Sequence, residues 1–523
     1  MSTSATLGAL CAEAGLRCPE GAAETLIQGV TCDSRRVRPG WLFIAVPGMH
    51  CDARKFIPDV ERAGAAAVVT ADGPVPAAGI PVIETNDVRR AAAYLFDAWY
   101  GHPGRRLRLA GITGTNGKTS TACMLTHILR AAGEQAGMIG TLGYTLPRGV
   151  SDGPDGPILP ADKRAAMTTP DPEELYAILD RMASGEGKTP IVVMEVSSHA
   201  LALGKVAPLR FDVGVFTNLS PEHLDFHGTM ENYCAAKEQL FRQADVGVIN
   251  GDDACVSRLP ADVRGPARWL ICRSGVTARR ADTPCPDCCC NRYDAGQIRS
   301  LGLAGVEYRL VSPAARLRIR CPVPGDFTVS NSLEAAAAAL ALGVSPVTVK
   351  EALACFPGVP GRMERIPVRA DFSVFIDYAH TPDALEKLLL TFHRAMEAEQ
   401  SRERGRIILL FGCGGDRDRE KRKVMARIAS AMADVTVITS DNSRSEDPDA
   451  IIAEILKGID KESEYTVIPD RAEAIRWALR HARSGDVVLL CGKGHETYEI
   501  DRTGRHPFDE RRIVREALES RGD

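Results

Sequence analysis

The chain has 523 residues, of which 45% are hydrophobic and 25% are charged. This length exceeds what one hydrophobic core usually serves and predicts three domains, while the composition excludes wholesale disorder. A formal net charge of −4 excludes the global basic excess that draws a protein onto nucleic acid or anionic lipid. We therefore expect no nucleic-acid partner, although local sites for small anions are compatible with this balance.

The N-terminal stretch "MSTSATLGALCAEAGLRC" has no basic segment followed by an apolar core. No later apolar run reaches the roughly 18 to 20 residues that span a bilayer. We expect a cytoplasmic protein without membrane insertion. Most of its 16 cysteines should then be reduced core residues.

The first segment of the chain mixes short strands and helices. "WLFIAVPG" and "GAAAVVTAD" are apolar strands separated by Gly, Pro and Asp. This pattern predicts a small α/β domain over residues 1–107.

A glycine-rich turn follows at "GITGTNGKTS", between the strand "RLAGIT" and an amphipathic helix. Such a turn aims backbone N–H groups and the helix dipole at phosphates, while Lys118 supplies positive charge and Thr119 a magnesium ligand. Ile112 stands where the strict Walker A pattern has glycine. The strand, loop, Lys-Thr pair and helix nevertheless occur in the order that phosphate binding requires.

Polar residues end the next two apolar strands, "PIVVMEVSS" and "FDVGVFTNLS". Glu195 could hold magnesium there or be a structural carboxylate. His223, Asp225 and His227 fit metal or phosphate chemistry, but His223 alone could equally be a capping or packing residue, and Lys237 a snorkelling surface cation. With the helix "NSLEAAAAALALG", these strands predict a central parallel-sheet ATPase domain over residues 108–344.

The strands "FSVFIDYAH", "RIILLFGCGGDRD", "DVTVITSDNSR" and "GDVVLLCGKGHE" alternate with amphipathic helices in the last third of the chain. They predict a Rossmann-like, doubly wound α/β domain over residues 345–523. Open parallel sheets bind ligands at the carboxyl ends of their strands. We expect Asp377, Arg417, Arg444 and Glu496 to converge there.

A cysteine cluster, "TPCPDCCCNRYD", holds Cys285, Cys288, Cys289 and Cys290. Its Cys-x-x-Cys spacing could supply two zinc ligands, but no second pair stands at zinc-ribbon spacing. A reduced, cysteine-rich surface loop is the favoured interpretation.

Seven motifs together resemble the Mur ligases of bacterial peptidoglycan synthesis: "GTNGKTS", "MEVSSHAL", "TNLSPEHLDFHGTMENYCAAKEQLF", "PGRMERI", "DYAHTPDAL", "FGCGGDRDREKR" and "GKGHE". The resemblance covers nearly the whole chain. Within the family, the N-terminal signature "DSRRVRPGWLFIAVPG" is most similar to the branch that synthesises the UDP-muramoyl tripeptide.

The resemblance implies an ATP-dependent amide ligase, and we expect the protein to be a monomer. Its substrates would be ATP, UDP-MurNAc-L-Ala-D-Glu and meso-diaminopimelate. The D-glutamate carboxylate would be activated as an acyl phosphate, which the amino-acid amine attacks, with Mg2+ as the metal. In the family the lysine that matches Lys237 is carbamylated by CO2, which would turn its cation into an anionic metal ligand.

The family's functional residues carry over by position. The implied catalytic residues are Lys118, Glu195, His223 and Lys237, and the implied metal ligands are Thr119, Glu195, His223 and Lys237. The implied ATP contacts are Gly114, Thr115, Asn116, Gly117, Lys118, Thr119, Ser120, Asn331, Arg362 and Asp377. The implied contacts of the UDP-muramoyl peptide are Ser34, Met49, His50, Cys51, Thr168, Thr169, Ser197 and Lys205. The implied amino-acid contacts are Arg417, Asp441, Asn442, Ser443, Arg444, Gly492 and Glu496.

Arg444 is the implied discriminating residue. A guanidinium offers two parallel donors to the distal carboxylate of diaminopimelate and repels the distal ammonium of lysine. Glu496 would suit the distal ammonium of diaminopimelate, and Ser443 replaces the family's usual proline. The alternative is a surface pairing of Arg444 with Glu446 or Asp447.

Three other functions remain open at this point. A lysine-adding Mur ligase is disfavoured by Arg444, and a folylpolyglutamate synthase-like ligase by the separate N-terminal domain. From another class, a P-loop nucleotide-binding regulatory protein with zinc in the cysteine cluster would bind ATP without phosphate release that depends on an amino acid.

Overall fold

The computed structural model describes residues 4–48, 52–75, 79–148, 150, 167–185, 187–253, 266–275, 290–398 and 405–519. These residues form two compact units. The first comprises the described parts of residues 1–294, 312–315 and 333–349. The second comprises those of 295–311, 316–332 and 350–523.

The first unit begins with a four-stranded parallel sheet in the order β3-β4-β5-β6. Its strands are β3 (Gly29–Thr31), β4 (Trp41–Ala45), β5 (Ala67–Ala71) and β6 (Val82–Thr85). A ribbon of β1 (Ala5–Thr6) and β2 (Leu26–Ile27) precedes it. The accompanying helices are α1 (Leu7–Glu13), α2 (Ile57–Arg62) and α3 (Val88–Trp99). This small α/β arrangement agrees with the pattern in the sequence.

A second sheet in the same unit carries the glycine-rich turn. Its order is β13-β12-β11-β7-β10-β8-β9, and the pairs are parallel except the β8–β9 hairpin. The strands are β7 (Arg108–Thr113), β8 (Ala136–Gly140), β9 (Gly143–Thr145), β10 (Ile191–Glu195), β11 (Phe211–Phe216), β12 (Ala244–Asn250) and β13 (Arg268–Arg273). The helices are α4 (Lys118–Ala131), α5 (Pro172–Met182), α6 (Ser198–Ala202), α7 (Leu224–His227) and α8 (Met230–Arg242). Near-continuous apolar runs such as "IVVME" suit strands buried on both faces.

The register of this sheet brings three strand ends together. Strand β7 lies between β10 and β11, with Glu195 opposite Ile112 and Phe216 opposite Thr113. Because the three strands are parallel, the residues that follow them share one edge of the sheet. The glycine-rich turn, Glu195 and the segment after Phe216 are therefore neighbours.

The second unit contains a six-stranded sheet in the order β17-β18-β22-β19-β20-β21, parallel except the β17–β18 pair. The strands are β17 (Glu364–Ile366), β18 (Ser373–Asp377), β19 (Ile407–Phe411), β20 (Val435–Ile438), β21 (Tyr465–Val467) and β22 (Val487–Cys491). Separate hydrophobic cores cover the two faces, one including Leu385, Met425 and Ile452, the other Ile475 and Val514. This is the predicted doubly wound arrangement.

The chain contains further strands and helices. The strands are β14 (Cys290–Ser300), β15 (Val306–Val311), β16 (Arg316–Cys321), β23 (Tyr498–Asp501) and β24 (Gly504–Pro507). The helices are α9 (Phe327–Ala341), α10 (Pro346–Ala354), α11 (Pro382–Glu397), α12 (Glu420–Met432), α13 (Pro448–Leu456), α14 (Arg471–His481) and α15 (Glu510–Glu519). Helix α9 begins before the predicted helix segment, which started at Asn331.

Among the described residues, no helix is both long and apolar enough to cross a bilayer. The cellular compartment stays a prediction. So do the domain boundaries at residues 107/108 and 344/345.

A fully buried ion pair joins two helices of the second unit. Arg471 on α14 lies 2.8 Å from Glu510 on α15, and both side chains are 0% exposed. Arg471 also donates to the carbonyls of Ser440 (3.1 Å) and Cys491 (2.8 Å), at the carboxyl ends of β20 and β22. The pair therefore fixes two strand ends as well as the helix packing.

We expect Glu510→Gln to lower the free energy of unfolding by about 3–5 kcal/mol, because Arg471 would keep its charge without its partner in a water-excluded site. Urea unfolding followed by circular dichroism measures this change. Glu473→Gln is the matched control, since its pair with Arg476 is exposed and should be worth about 0–1 kcal/mol. Equal losses in the two variants would contradict the expectation.

Candidate active site

The glycine-rich turn forms a cradle for an anion. Strand β7 ends at Thr113 and α4 begins at Lys118, and between them Gly114 and Gly117 have φ values of 146° and 83°. Glycine adopts these angles without the steric penalty that a Cβ brings. The turn therefore presents the amino end of a 14-residue helix, whose free N–H groups and dipole favour negative charge.

Lys118 adds a full positive charge to the same place. Its Nζ donates to the carbonyls of Gly114 and Thr115, both at 2.9 Å. The ammonium group thus lies across the turn, where phosphate oxygens would approach.

The segment after β11 clamps this turn. The N–H of Thr115 donates to the carbonyl of Asn218, and that of Asn116 donates to Asn218 Oδ1, both at 2.9 Å. A Cβ on Gly114 would lie 1.9 Å from Thr217 Oγ1, so no larger residue fits without displacement. Asn218 was not among the site residues predicted from the sequence, although it stands in the quoted "TNLSPEH" motif.

Glu195 ends β10 beside the turn and is fully buried. Its Oε2 accepts hydrogen bonds from the hydroxyls of Thr119 (2.9 Å) and Thr141 (3.1 Å), and its Oε1 accepts from the Thr141 N–H (2.9 Å). Burial raises the pKa of Glu195, and the Thr141 N–H and the charge of Lys118 oppose that rise. Thr141, which follows β8, was missed because nothing in its local sequence marks it.

The oxygen atoms around Glu195 suit a hard divalent cation. The Glu195 carboxylate and the Thr119 and Thr141 hydroxyls meet beside the phosphate cradle, and Mg2+ prefers such ligands. Within the described ranges, no group of three or more His, Cys, Asp or Glu forms a ready-made metal cage. A magnesium ion here would rely on hydroxyl, phosphate and water oxygens as well as Glu195.

Lys237 on α8 is the unusual residue of this site. Its side chain is 1% exposed, and its Nζ lies 4.4 Å from the centroid of the Tyr233 ring. Burial, with the charge of Lys118, lowers the pKa of Lys237 to about 6. Because the side chain is buried, the interpretation of Lys237 as a snorkelling surface cation is wrong.

His223 lies among other aromatic rings. It has a left-handed φ of 56°, and its ring centroid is 4.8 Å from that of His199 and 6.4 Å from that of Tyr233. The His223 side chain is 46% exposed, so it can reach a ligand from solvent. His199 and Tyr233, both absent from the sequence-based prediction, hold the ring in place.

The residues predicted for the muramoyl peptide form a connected group near Glu195. Thr168 and Thr141 share a hydroxyl hydrogen bond of 3.1 Å, and the Thr169 hydroxyl donates to the Glu195 carbonyl at 2.9 Å. The Ser197 N–H donates to Thr169 Oγ1 at 3.0 Å. Lys205 is 2.7 Å from Asp171, on the segment that continues from Thr169.

Ser34, predicted to contact UDP, begins a short 3-10 helix, Ser34–Arg36, capped by Asp33. Met49, His50 and Cys51 lie outside the described residues, as do Cys285, Cys288 and Cys289 of the cysteine cluster.

The second unit carries the other predicted nucleotide contacts. Asp377, at the end of β18, accepts from the N–H groups of Met363 (2.7 Å) and Ala379 (2.8 Å). Burial raises the pKa of Asp377, and the Arg362 charge counteracts this. Arg362 stacks on the Tyr378 ring at 5.0 Å. Asn331 is buried in α9.

The segment after β20 holds Arg444 in a defined conformation. Arg444 has a φ of 51°, and its Nη1 donates to the carbonyl of Gly415 at 2.8 Å. Glu446 is occupied elsewhere, since Arg422 donates to it at 2.9 and 3.0 Å, and these hydrogen bonds lower the pKa of Glu446 to about 2. The alternative pairing of Arg444 with Glu446 therefore has no support in these contacts.

Two further loops meet this segment. Asn442 Nδ2 donates to Glu496 Oε2 at 2.8 Å. A Cβ on Gly492, whose φ is 113°, would lie 2.5 Å from Asp441 Oδ2. Ser443 is buried, whereas Arg417, in the loop after β19, is exposed. The structure thus brings together Asp441, Asn442, Ser443, Arg444, Gly492 and Glu496, with Arg417 on the loop that also carries Gly415.

Gly140→Ala tests the role of Glu195 without touching it. A Cβ at residue 140 would lie 2.2 Å from Glu195 Oε1, so the carboxylate must move. We expect magnesium-dependent ATP binding to weaken by at least roughly tenfold, as measured by calorimetric titration.

Gly296→Ala is the control for this substitution, because a Cβ there meets nothing within 4 Å. Unchanged ATP affinity in Gly140→Ala, with an unchanged circular dichroism spectrum, would contradict the role assigned to Glu195.

Three family models match successive segments of the chain. The Mur ligase family catalytic domain matches residues 26–100, the Mur ligase middle domain residues 112–339, and the Mur ligase glutamate ligase domain residues 361–494. This order confirms the predicted sequence of an N-terminal, a central and a C-terminal α/β domain.

Curated and solved proteins resemble the chain over almost its full length. A UDP-N-acetylmuramoyl-L-alanyl-D-glutamate–2,6-diaminopimelate ligase from Syntrophomonas wolfei is 40% identical over 95% of this chain and 96% of its own. A solved structure of a ligase with that same description is 29% identical, with a TM-score of 0.67 and 100% coverage of both chains. MurF from Thermotoga maritima in complex with ADP shares the fold at 16% identity, with a TM-score of 0.54, over 94% of this chain and 98% of that one. The chain belongs to the Mur ligase family.

Proposed function

We propose that this protein is an ATP-dependent amide ligase that joins meso-diaminopimelate to UDP-MurNAc-L-Ala-D-Glu in peptidoglycan precursor synthesis. The observation that carries the amino-acid assignment is the arrangement of Arg444 and Glu496. One offers a guanidinium and the other a carboxylate on adjoining loops, while Glu446 is committed to Arg422. This pairing complements the distal carboxylate and the distal ammonium of one zwitterionic amino acid.

The reaction has two steps, and in each step one bond forms while another breaks. The D-glutamate carboxylate attacks the γ-phosphorus of ATP, the bond to the ADP oxygen breaks, and an acyl phosphate forms. The free amine of diaminopimelate then attacks the acyl carbon, phosphate leaves, and the amine loses a proton as the amide forms. Lys118 and the N–H groups of the turn stabilise the negative charge on the phosphoryl group.

Thr119 and Glu195, with His223 and a carbamylated Lys237, would hold Mg2+ in this proposal. When bound, the metal screens the repulsion between the carboxylate substrate and the ATP phosphates. Addition of CO2 to Lys237 would place an anion at a position that is otherwise a buried amine near Lys118. The burial of Lys237 and the oxygen ligands around Glu195 support this assignment.

We also propose that the chain divides into three domains, with boundaries at residues 107/108 and 344/345. The first domain would bind UDP through Ser34 and residues 49–51. ATP is assigned to the second domain, the amino acid to the third, and the enzyme acts as a monomer.

Phosphate release tests the reaction. Purified protein with ATP, Mg2+, UDP-MurNAc-L-Ala-D-Glu and meso-diaminopimelate should release phosphate and form the tripeptide, and omission of either co-substrate should stop it. ATP binding without release that depends on the amino acid would favour a regulatory P-loop protein instead. Release with folate and glutamate would favour a folylpolyglutamate synthase.

Arg444→Ala should raise the KM for meso-diaminopimelate roughly ten- to a hundredfold, because hydrogen bonds to a charged group are worth about 1.5–3 kcal/mol. The KM values for ATP and the muramoyl dipeptide should stay unchanged. Arg427→Ala, at an exposed position on α12, is the matched control. Steady-state kinetics with each substrate varied in turn measure the effect, and an unchanged KM for diaminopimelate would refute the assigned contact.

Lys237→Met should lower kcat roughly a hundredfold or more, because it removes the proposed anionic ligand of the Mg2+ that offsets negative charge in phosphoryl transfer. Isotope-labelled CO2 should give a carbamate signal in the nuclear magnetic resonance spectrum of the parent protein and not of this variant. Lys188→Met, which removes an exposed lysine of the same unit, should keep both the signal and the activity. A fully active Lys237→Met protein would overturn the carbamate proposal.

A further inference from the structure

One lysine beneath the amino-acid loops has no role in the assignments above. Lys493 follows Gly492 after β22, and its side chain is 0% exposed. Its ammonium donates to Asn442 Oδ1 at 3.1 Å and to the carbonyl of Tyr498 at 3.0 Å. It lies 3.8 Å from Asp441 Oδ1. A lysine in a glycine-rich loop is usually solvated, so complete burial demands a reason.

The first consequence concerns the orientation of the Asn442 amide. Its Oδ1 accepts two hydrogen bonds, from Lys493 and from the N–H of Ile500 at 2.9 Å. If the amide were turned over, its NH2 group would face two donors. Lys493 and Ile500 therefore force Asn442 Nδ2 to point the other way.

The second consequence concerns Glu496. The oriented Asn442 Nδ2 donates to Glu496 Oε2 at 2.8 Å, which fixes the rotamer of that carboxylate. Burial raises the pKa of Glu496, and Lys493 and Arg444 are among the charges that oppose the rise. A chain of contacts thus runs from the buried ammonium, through one amide, to the carboxylate that faces the amino-acid site.

We infer that Lys493 is a positioning residue for amino-acid selection, which acts through Asn442 to present Glu496 as a fixed carboxylate to the distal ammonium of the incoming substrate. The inference rests on the proposed ligase function and deepens it. Arg444 binds the distal carboxylate, whereas Lys493 determines how well the enzyme recognises the distal ammonium. Selection at that stereocentre then depends on a residue that never touches the substrate.

The test compares meso-diaminopimelate with aminopimelate, which keeps the reacting amine and the distal carboxylate but lacks the distal ammonium. The parent enzyme should prefer diaminopimelate in kcat/KM. Lys493→Met should reduce that preference at least roughly tenfold, mainly through a higher KM for diaminopimelate, because Glu496 loses its fixed position. The KM values for ATP and the muramoyl dipeptide should remain within about twofold.

Three further variants separate positioning from general stability. Lys493→Arg should restore part of the preference, because it keeps the charge and the donors. Lys461→Met, at an exposed lysine of the same unit, should behave as the parent. Adding Asn442→Ala to Lys493→Met should cause little further loss of preference, since both changes break one chain of contacts.

The outcomes are distinct. Unchanged preference in folded Lys493→Met would overturn the inference, and so would a parallel change in all three KM values, which indicates a structural role only. If Lys493→Met does not fold, as judged by circular dichroism, Lys493→Gln decides: a preference at least roughly threefold below the parent supports the inference, and the parent's preference overturns it. Absence of any turnover in the parent enzyme would instead refute the proposed function.

Discussion

The site in the first unit depends on one buried carboxylate. Glu195 is an ionisable group, fully buried at the end of a central strand, and its charged form is stable only where donors or cations surround it. Thr119, Thr141 and the nearby charge of Lys118 supply that environment. The register of β7 beside β10 places all of them at one sheet edge, where we propose that phosphate and a divalent metal bind.

The proposed amino-acid site in the second unit is supported from below by buried cations. Arg422, Arg471 and Lys493 are each at most 1% exposed. They donate to backbone carbonyls and to one side-chain amide oxygen at or after the ends of β19, β20 and β22. The residues that face the substrate therefore gain their geometry from partners that do not, as recognition of a small zwitterion requires.

Local sequence predicted much of this structure, because buried parallel strands are continuous apolar runs and a phosphate cradle needs glycines before a helix. It did not reveal contacts made across strands. Thr141 contacts Glu195 only because β8 pairs with β10, and no feature of "GTLGY" predicts that pairing. Proximity along the chain is also a poor guide to ion pairs: Glu446 is close to Arg444 in sequence, yet it binds Arg422 of the preceding helix, α12.

The sequence also did not reveal which individual residues are buried. Lysine is usually a surface residue, so nothing in the sequence indicated that Lys237 and Lys493 are buried. Only the packing of α8 and of the loop after β22 shows that both side chains are enclosed. The roles predicted for Lys118 and Glu195 from the glycine-rich turn and the strand end, and for Arg444 from the family resemblance, stay proposals, which the geometry around each residue supports.

The most direct measurement is a competition experiment. Purified protein would receive ATP, Mg2+, UDP-MurNAc-L-Ala-D-Glu and equal concentrations of meso-diaminopimelate and L-lysine, and mass spectrometry would identify the product. The account predicts the diaminopimelate tripeptide with no detectable lysine product, because Arg444 attracts a distal carboxylate and repels a distal ammonium. A lysine tripeptide as the main product would contradict it.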